Sequence, residues 1–173
     1  IISSSNYNNL SNFNSSYNAV SGIYLSSSSY NNLNNFNSYK NTQDGVYLST
    51  GSNNNLSNFN SYNNTLSGLH LRVISNNNIL ANFSTYNNIL AGIYFFTSSL
   101  NNILTNFTSY NNANGIYFFS GSSNNTFLNG TSINNTNYNL YFIQSGSLVP
   151  QNNTFYNNNL GNVSKIYSNN WTN

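Results

Sequence analysis

Five side chains in this sequence of 173 residues are of the acid, base or cation types from which most catalytic and metal sites are made: Lys40, Asp44, His70, Arg72 and Lys165. Their types decide which chemistry is open. Cleavage of a glycosidic bond by paired carboxylates needs two acids, and a calcium site needs several oxygen ligands of high charge. One Asp and no Glu supply neither within a single copy. His70 is the natural general base or metal ligand, yet it stands in a column that other repeats fill with Tyr, so it is expected to replace an outward aromatic. Asp44, Lys40 and Arg72 fall on neighbouring repeats and are expected to meet only as exposed ion pairs, which contribute little. The many serine hydroxyls remain poor nucleophiles without an acid-supported His beside them. Cysteine is absent, which removes thiolate chemistry, disulfides and Cys-based metal sites. The expectation is a protein that is not an enzyme and holds no metal or cofactor.

The elements that carry these residues are unusual in composition. Charged residues are 2% of the chain, against about 25% in ordinary soluble domains. The three cations are scattered with no basic run, so nucleic acid is excluded as a partner. No apolar run approaches the length of a membrane helix, so this segment carries no membrane span. The sequence starts on Ile1 within a repeat, which points to one domain over residues 1–173 that is a processed product or a piece of a longer chain.

Two motifs recur in step. A Gly followed by an apolar residue, an aromatic and a second apolar residue starts at Gly22, Gly45, Gly68, Gly92 and Gly115, at intervals of 23, 23, 24 and 23 residues, and continues at Asn139 with Asn in place of Gly. An apolar residue followed two positions later by Asn gives Leu10 and Asn12, Leu33 and Asn35, Leu56 and Asn58, Leu80 and Asn82, Leu104 and Asn106, and Phe127 and Asn129. Two motifs held in phase mark stacked units. Asn, Ser and Gly interrupt every helical pattern, so the units read as short strands joined by turns. The fold class is therefore all-β, a parallel β-helix of about seven coils of roughly 23 residues. Strand alternation sends Ile23, Leu25, Leu48, Leu71, Ile93 and Ile116 inward, and Tyr24, Tyr47, His70, Tyr94, Tyr117 and Tyr141 outward. Asn12, Asn35, Asn58, Asn82, Asn106 and Asn129 are expected to form an inward ladder in which each amide bonds to the next, with the left-handed backbone that Asn tolerates at corners.

The segments Gly45-Val46-Tyr47-Leu48 and Asn54-Asn55-Leu56-Ser57-Asn58, with their counterparts in each coil, resemble the pectate-lyase-like right-handed parallel β-helix repeat. The likeness is to its Asn-rich form in archaeal surface proteins and NosD-like periplasmic proteins. It implies a right-handed coil and a place at the cell surface or outside it. Function stays open, because this architecture hosts lyases, hydrolases, adhesins and inert scaffolds alike.

Three functional readings follow. The leading one is an extracellular structural protein that assembles with itself head to tail into a surface layer or filament. Ile1-Ile2 begins directly on a strand rung, and the far end finishes in Ile166-Tyr167 and Trp171 with no charged gatekeeper beyond Lys165. The second is a carbohydrate-binding or adhesin module in which the Tyr strip meets glycans or another surface protein. The third is a functional amyloid whose coils form on polymerisation. An ice-binding face would need a regular Thr-x-Thr ladder, which is missing. Asn63, Asn152 and Asn170 are candidate N-glycosylation acceptors in loops, whereas Asn82, Asn106 and Asn129 are expected to stay unmodified because they point inward.

Overall fold

The computed structural model describes residues 2–164 and 168–172, so Ile1, Lys165, Ile166 and Tyr167, on which part of the expected end contacts rests, lie outside the described residues. The β-solenoid is present. Among the described residues there is no helix, and none that is long and apolar enough to cross a membrane. One sheet stacks eight parallel strands, Ile2–Ser3, Ile23–Ser26, Val46–Ser49, Ser67–Arg72, Ala91–Phe96, Asn114–Phe119, Tyr138–Ile143 and Val163–Ser164, each a coil above the last. The second sheet stacks Asn9–Ser16, Asn32–Tyr39, Asn55–Tyr62, Ile79–Tyr86 and Ile103–Tyr110 in the same way, and then splits each rung into shorter strands. Like residues stand in register: Leu33 on Leu56, Phe36 on Phe59, Val46 on Leu69.

The expected inward residues are inside. Leu25, Leu48, Leu71, Ile93 and Ile116 have no exposed surface and Ile23 has 5%. Leu33, Leu56, Leu80 and Leu104 face them from the second sheet, with Phe36, Phe59, Phe83 and Phe107 beside them. The recurrent Gly answers a packing limit. A Cβ on Gly45 would run into the Ser61 hydroxyl, which donates a 2.7 Å hydrogen bond to the Gly68 carbonyl of the next coil.

The expected inward Asn ladder needs correction. Asn12, Asn35, Asn58, Asn82, Asn106 and Asn129 all face solvent. Their φ angles lie between 51° and 58°, so this column is an outer corner in the left-handed conformation, and its amides bond up the stack at the surface, as in Asn106 to Asn82 at 3.1 Å. The left-handed half of the expectation is right and the buried half is wrong. Two other columns form the buried ladders: Asn31, Asn54, Asn78, Asn102, Asn125 and Asn153, and Asn41, Asn64, Asn88 and Asn112. In each, an Oδ1 accepts both the backbone N–H and the Nδ2 of the Asn below it, as Asn78 accepts from Asn54 at 2.9 and 3.1 Å. The same Nδ2 groups reach back to a carbonyl of an earlier coil, so every amide hydrogen and oxygen of these sealed side chains is used.

Candidate functional site

The strand alternation that buries Val46, Leu48, Leu69 and Leu71 turns Tyr47 and His70 out of the first sheet. Tyr24, Tyr47, His70, Tyr94, Tyr117 and Tyr141 form one continuous column, with ring centroids 4.6 to 5.1 Å apart. Most of the rings stack face to face along the axis, so they spend their faces on each other and present edges and hydroxyls; Tyr94 is only 9% exposed. Burial, foremost, pushes the Tyr94 phenol well above the usual phenol range, and Tyr117 shifts the same way for the same reason.

At His70 this column becomes chemically distinct. Asp44 sits at the corner before Gly45, one coil earlier, and is buried. Its Oδ1 accepts the Ser67 backbone N–H at 2.9 Å, and its Oδ2 lies 3.1 Å from His70 Nδ1. An ionised carboxylate only accepts, so Nδ1 carries a proton and Nε2 is the nitrogen left for exchange. That Nε2 is buried and has no hydrogen-bond partner. The imidazole stacks on Tyr94 at 4.6 Å and meets Tyr47 edge-on at 5.0 Å. Arg72, at the end of the same strand, donates from its guanidinium to the Tyr47 hydroxyl at 2.9 Å and lies 5.4 Å above the Phe96 ring. That hydrogen bond is the leading reason its hold on its protons is strengthened. These groups line a groove of about 490 Å³ that runs from Val20 and Leu66 across Tyr24, Tyr47 and His70 to Arg72.

The expected surface ion pairs among Asp44, Lys40 and Arg72 are not formed. Asp44 is committed to His70, Arg72 to Tyr47, and Lys40 to the Tyr17 hydroxyl at 2.9 Å. The acid-supported His that seemed to be missing is therefore present. A signal for it lay in the repeat: Asp44 precedes Gly45 by one residue and His70 follows Gly68 by two, so register alone brings both to one corner. Among the described residues no group of three or more His, Cys, Asp or Glu could hold a metal ion. Asn63, Asn152 and Asn170 are exposed, and so are Asn82, Asn106 and Asn129, so burial gives no ground for treating the two sets differently.

The family described as a right-handed β-helix region matches residues 1–160. Among solved structures, the A-module of the mannuronan C-5 epimerase AlgE4 from Azotobacter vinelandii superposes with a TM-score of 0.78 at 15% identity, over 96% of this chain and 54% of that one. The periplasmic alginate epimerase AlgG gives 0.73 at 22% identity, over 91% and 42%. Pectate lyase Pel9A gives 0.65 at 16% identity, over 84% and 42%. The chain thus spans about half the length of these structures, and at such identities the likeness establishes the fold alone. No curated protein sequence matches it. The expectation that the chain is not an enzyme is corrected on this ground: the similar solved structures are epimerases and a lyase, so the fold does not exclude catalysis. The error was to read His70 only as a replacement for an outward aromatic, without the acid that register sets beside it.

Proposed function

We propose that this chain, which belongs to the right-handed β-helix family, holds an acidic polysaccharide across the groove formed by Tyr47, His70 and Arg72. One observation carries the reading. Arg72 is held in place by a phenol at the mouth of the groove, while the sole carboxylate side chain of the sequence is occupied by His70 and a backbone N–H. A guanidinium fixed in this way, with no acid of its own, suits a ligand carboxylate. The row of Tyr hydroxyls along the column supplies hydrogen bonds for sugar hydroxyls on either side. Mannuronan, alginate and pectate, named in the similar structures, are polymers of this acidic class.

The Asp44–His70 pair favours a second step at the same place. The hydrogen on C5 of a uronate is α to its carboxylate, so neutralisation of that carboxylate by Arg72 acidifies it, and His70 Nε2 is the base within this chain able to take it. Because Nε2 is screened from solvent, the imidazole or a neighbouring ring must turn to admit the sugar. Return from His70 to the same face, after exchange of the imidazolium proton with solvent, gives deuterium exchange at C5; departure of the 4-oxygen, which takes its proton from the imidazolium as the C4–O bond breaks and the C4–C5 double bond forms, gives elimination.

Affinity electrophoresis through gels containing polygalacturonate, with dextran as the neutral control, tests the first step. Wild-type protein is retarded by polygalacturonate alone, and Arg72→Gln weakens the retardation at least tenfold, the loss expected for about 1.5 kcal/mol of charged hydrogen bonding. Equal retardation of both proteins refutes the groove. Proton NMR of the polymer in D2O tests the second step: deuterium appears at C5 with wild type and not with His70→Gln. Export from the cytoplasm is part of the proposal, in line with the periplasmic epimerase among the similar structures. Head-to-tail assembly concerns the two ends of the stack and is a separate proposal, which electron microscopy of the concentrated protein decides.

A further inference from the structure

A second site stands at the corner that follows the long strands of the second sheet, where two bulky residues take the left-handed conformation, as Tyr7 and Tyr30 do at another corner. The corner that follows the long strands of the second sheet holds Asn63, Asn87, Asn111 and Asn134 in the later coils, with φ between 54° and 55°. In the first two coils the same corner holds Tyr17 and Lys40, at φ 57° and 54°. Asn adopts this conformation with little penalty, whereas a bulky side chain is strained in it. The two exceptions are neighbours and they touch. Lys40 Nζ donates to the Tyr17 hydroxyl at 2.9 Å and lies 5.2 Å from the centre of its ring. Both side chains are exposed, Tyr17 at 71%. Lys40 has no acid to neutralise it, since Asp44 is committed to His70.

Beside this corner runs a second aromatic ladder, Tyr39, Tyr62, Tyr86 and Tyr110, with ring centroids 4.8 to 5.0 Å apart and planes within 9° of parallel. Its first-coil end lacks a parallel ring. Ser16 occupies the position under Tyr39 in the ladder register, and Tyr17 meets Tyr39 only at an angle of 72° and a centroid distance of 6.3 Å. On that side Tyr39 has no parallel partner among the described residues, unlike the rings above it. The notch so formed combines one aromatic face, one phenol hydroxyl and one unneutralised ammonium group.

We propose that the notch of Tyr17, Tyr39 and Lys40 is a second subsite for a carboxylate-bearing sugar, which stacks its ring on Tyr39 and pairs its carboxylate with Lys40. The ligand class is that of the groove reading, but the observations are separate from it: an ammonium group with no acid to neutralise it stands beside an aromatic ring that lacks a parallel partner. The strain gives the test two readouts that move in opposite directions. In the variant Tyr17→Asn/Lys40→Asn, which restores the residue of the later coils, the melting temperature is expected to stay level or rise, while binding to polygalacturonate weakens at least fivefold. Tyr39→Ser should weaken binding to polygalacturonate while leaving retention by dextran sulfate unchanged.

The double substitution is made both in wild type and on an Arg72→Gln background, and circular dichroism checks the fold of each variant. Persistence of its effect on that background shows two subsites and supports the proposal even if the groove reading has failed. Unchanged polygalacturonate binding by the double variant overturns the proposal whatever Arg72→Gln does. A fall in melting temperature along with the binding loss also overturns it, because the two residues would then serve the fold. Retention by dextran sulfate that is as strong as by polygalacturonate, and insensitive to Tyr39→Ser, reduces the notch to a plain cation and refutes the stacked sugar.

Discussion

Replacement of Asn78 by Ala separates the buried Asn ladder from the exposed one. The Asn78 side chain makes four hydrogen bonds, donating to the Gly51 carbonyl at 3.1 Å and to Asn102 Oδ1 at 3.0 Å, and accepting from the backbone N–H and Nδ2 of Asn54 at 2.9 and 3.1 Å. Asn102 Oδ1 keeps the Asn78 backbone N–H, and Asn54 Nδ2 keeps the Ser28 carbonyl. The Asn54 N–H and the Gly51 carbonyl keep nothing, in surroundings sealed from water. Two buried groups left without partners cost about 2 to 6 kcal/mol together. Asn82, on the exposed corner, gives the contrast. Its bonds to Asn58 and Asn106 lie in solvent and are readily replaced by water. Asn82→Ala should therefore cost about 1 kcal/mol, mostly from placing a Cβ with no polar group at φ 55°. Asn82→Gly, free of that strain, should be close to neutral. Urea unfolding followed by circular dichroism measures the three variants, and amide hydrogen exchange at Asn54 reports the local opening. If Asn78→Ala costs no more than Asn82→Ala, the assignment of the buried ladder as the polar frame of the core is wrong.

Gly45→Ala drives a methyl group into the Ser61 hydroxyl and close to the Gly68 carbonyl, and should lower stability by about 1 to 3 kcal/mol in the same unfolding assay. Leu48→Asn places an amide without partners in a column that has no exposed surface, at a cost of about 3 kcal/mol or more, read from the unfolding midpoint. Alkali should unfold the protein. Tyr94, Tyr117 and Tyr86 hold their protons more tightly folded than unfolded, chiefly because burial disfavours the phenolate, so the stability they contribute is fully present below the usual phenol value of about 10 and is lost as pH rises above it. A melting temperature that stays level from pH 8 to about pH 11 would contradict that environment for these rings.

The coil was legible because its signals are periodic. Gly in phase with an alternating apolar pair fixes which side of each strand faces in, and Val46, Leu48, Leu69 and Leu71 follow that rule. The Asn column was misread because the demand for a left-handed corner and the demand for a buried amide both select Asn at the same period. Phase cannot tell the Asn12 column from the Asn31 column. Alternation does not separate them either, since Asn31, Asn54 and Asn78 stand two residues before a buried Leu and Asn35, Asn58 and Asn82 two residues after it; the left-handed φ of the second set breaks the alternation and turns those side chains out. The outward aromatic column was legible from alternation, whereas ring tilt was not, because sequence gives ring identity alone. A rung spacing near 5 Å leaves like rings no room to lie side by side, so they stack. The Asp44–His70 pair was passed over because the two residues are 26 apart in the chain and look unrelated until the coil length is subtracted. Lys40 and Tyr17, one coil apart at a corner, were hidden in the same way.

The structure of the chain with a bound trigalacturonate tests the central claim most directly. The account predicts a sugar carboxylate within hydrogen-bonding distance of the Arg72 guanidinium, beside the Tyr47 hydroxyl, with C5 turned toward His70. A trisaccharide seated away from both Arg72 and the Lys40 notch, or no binding at saturating concentration, would contradict it.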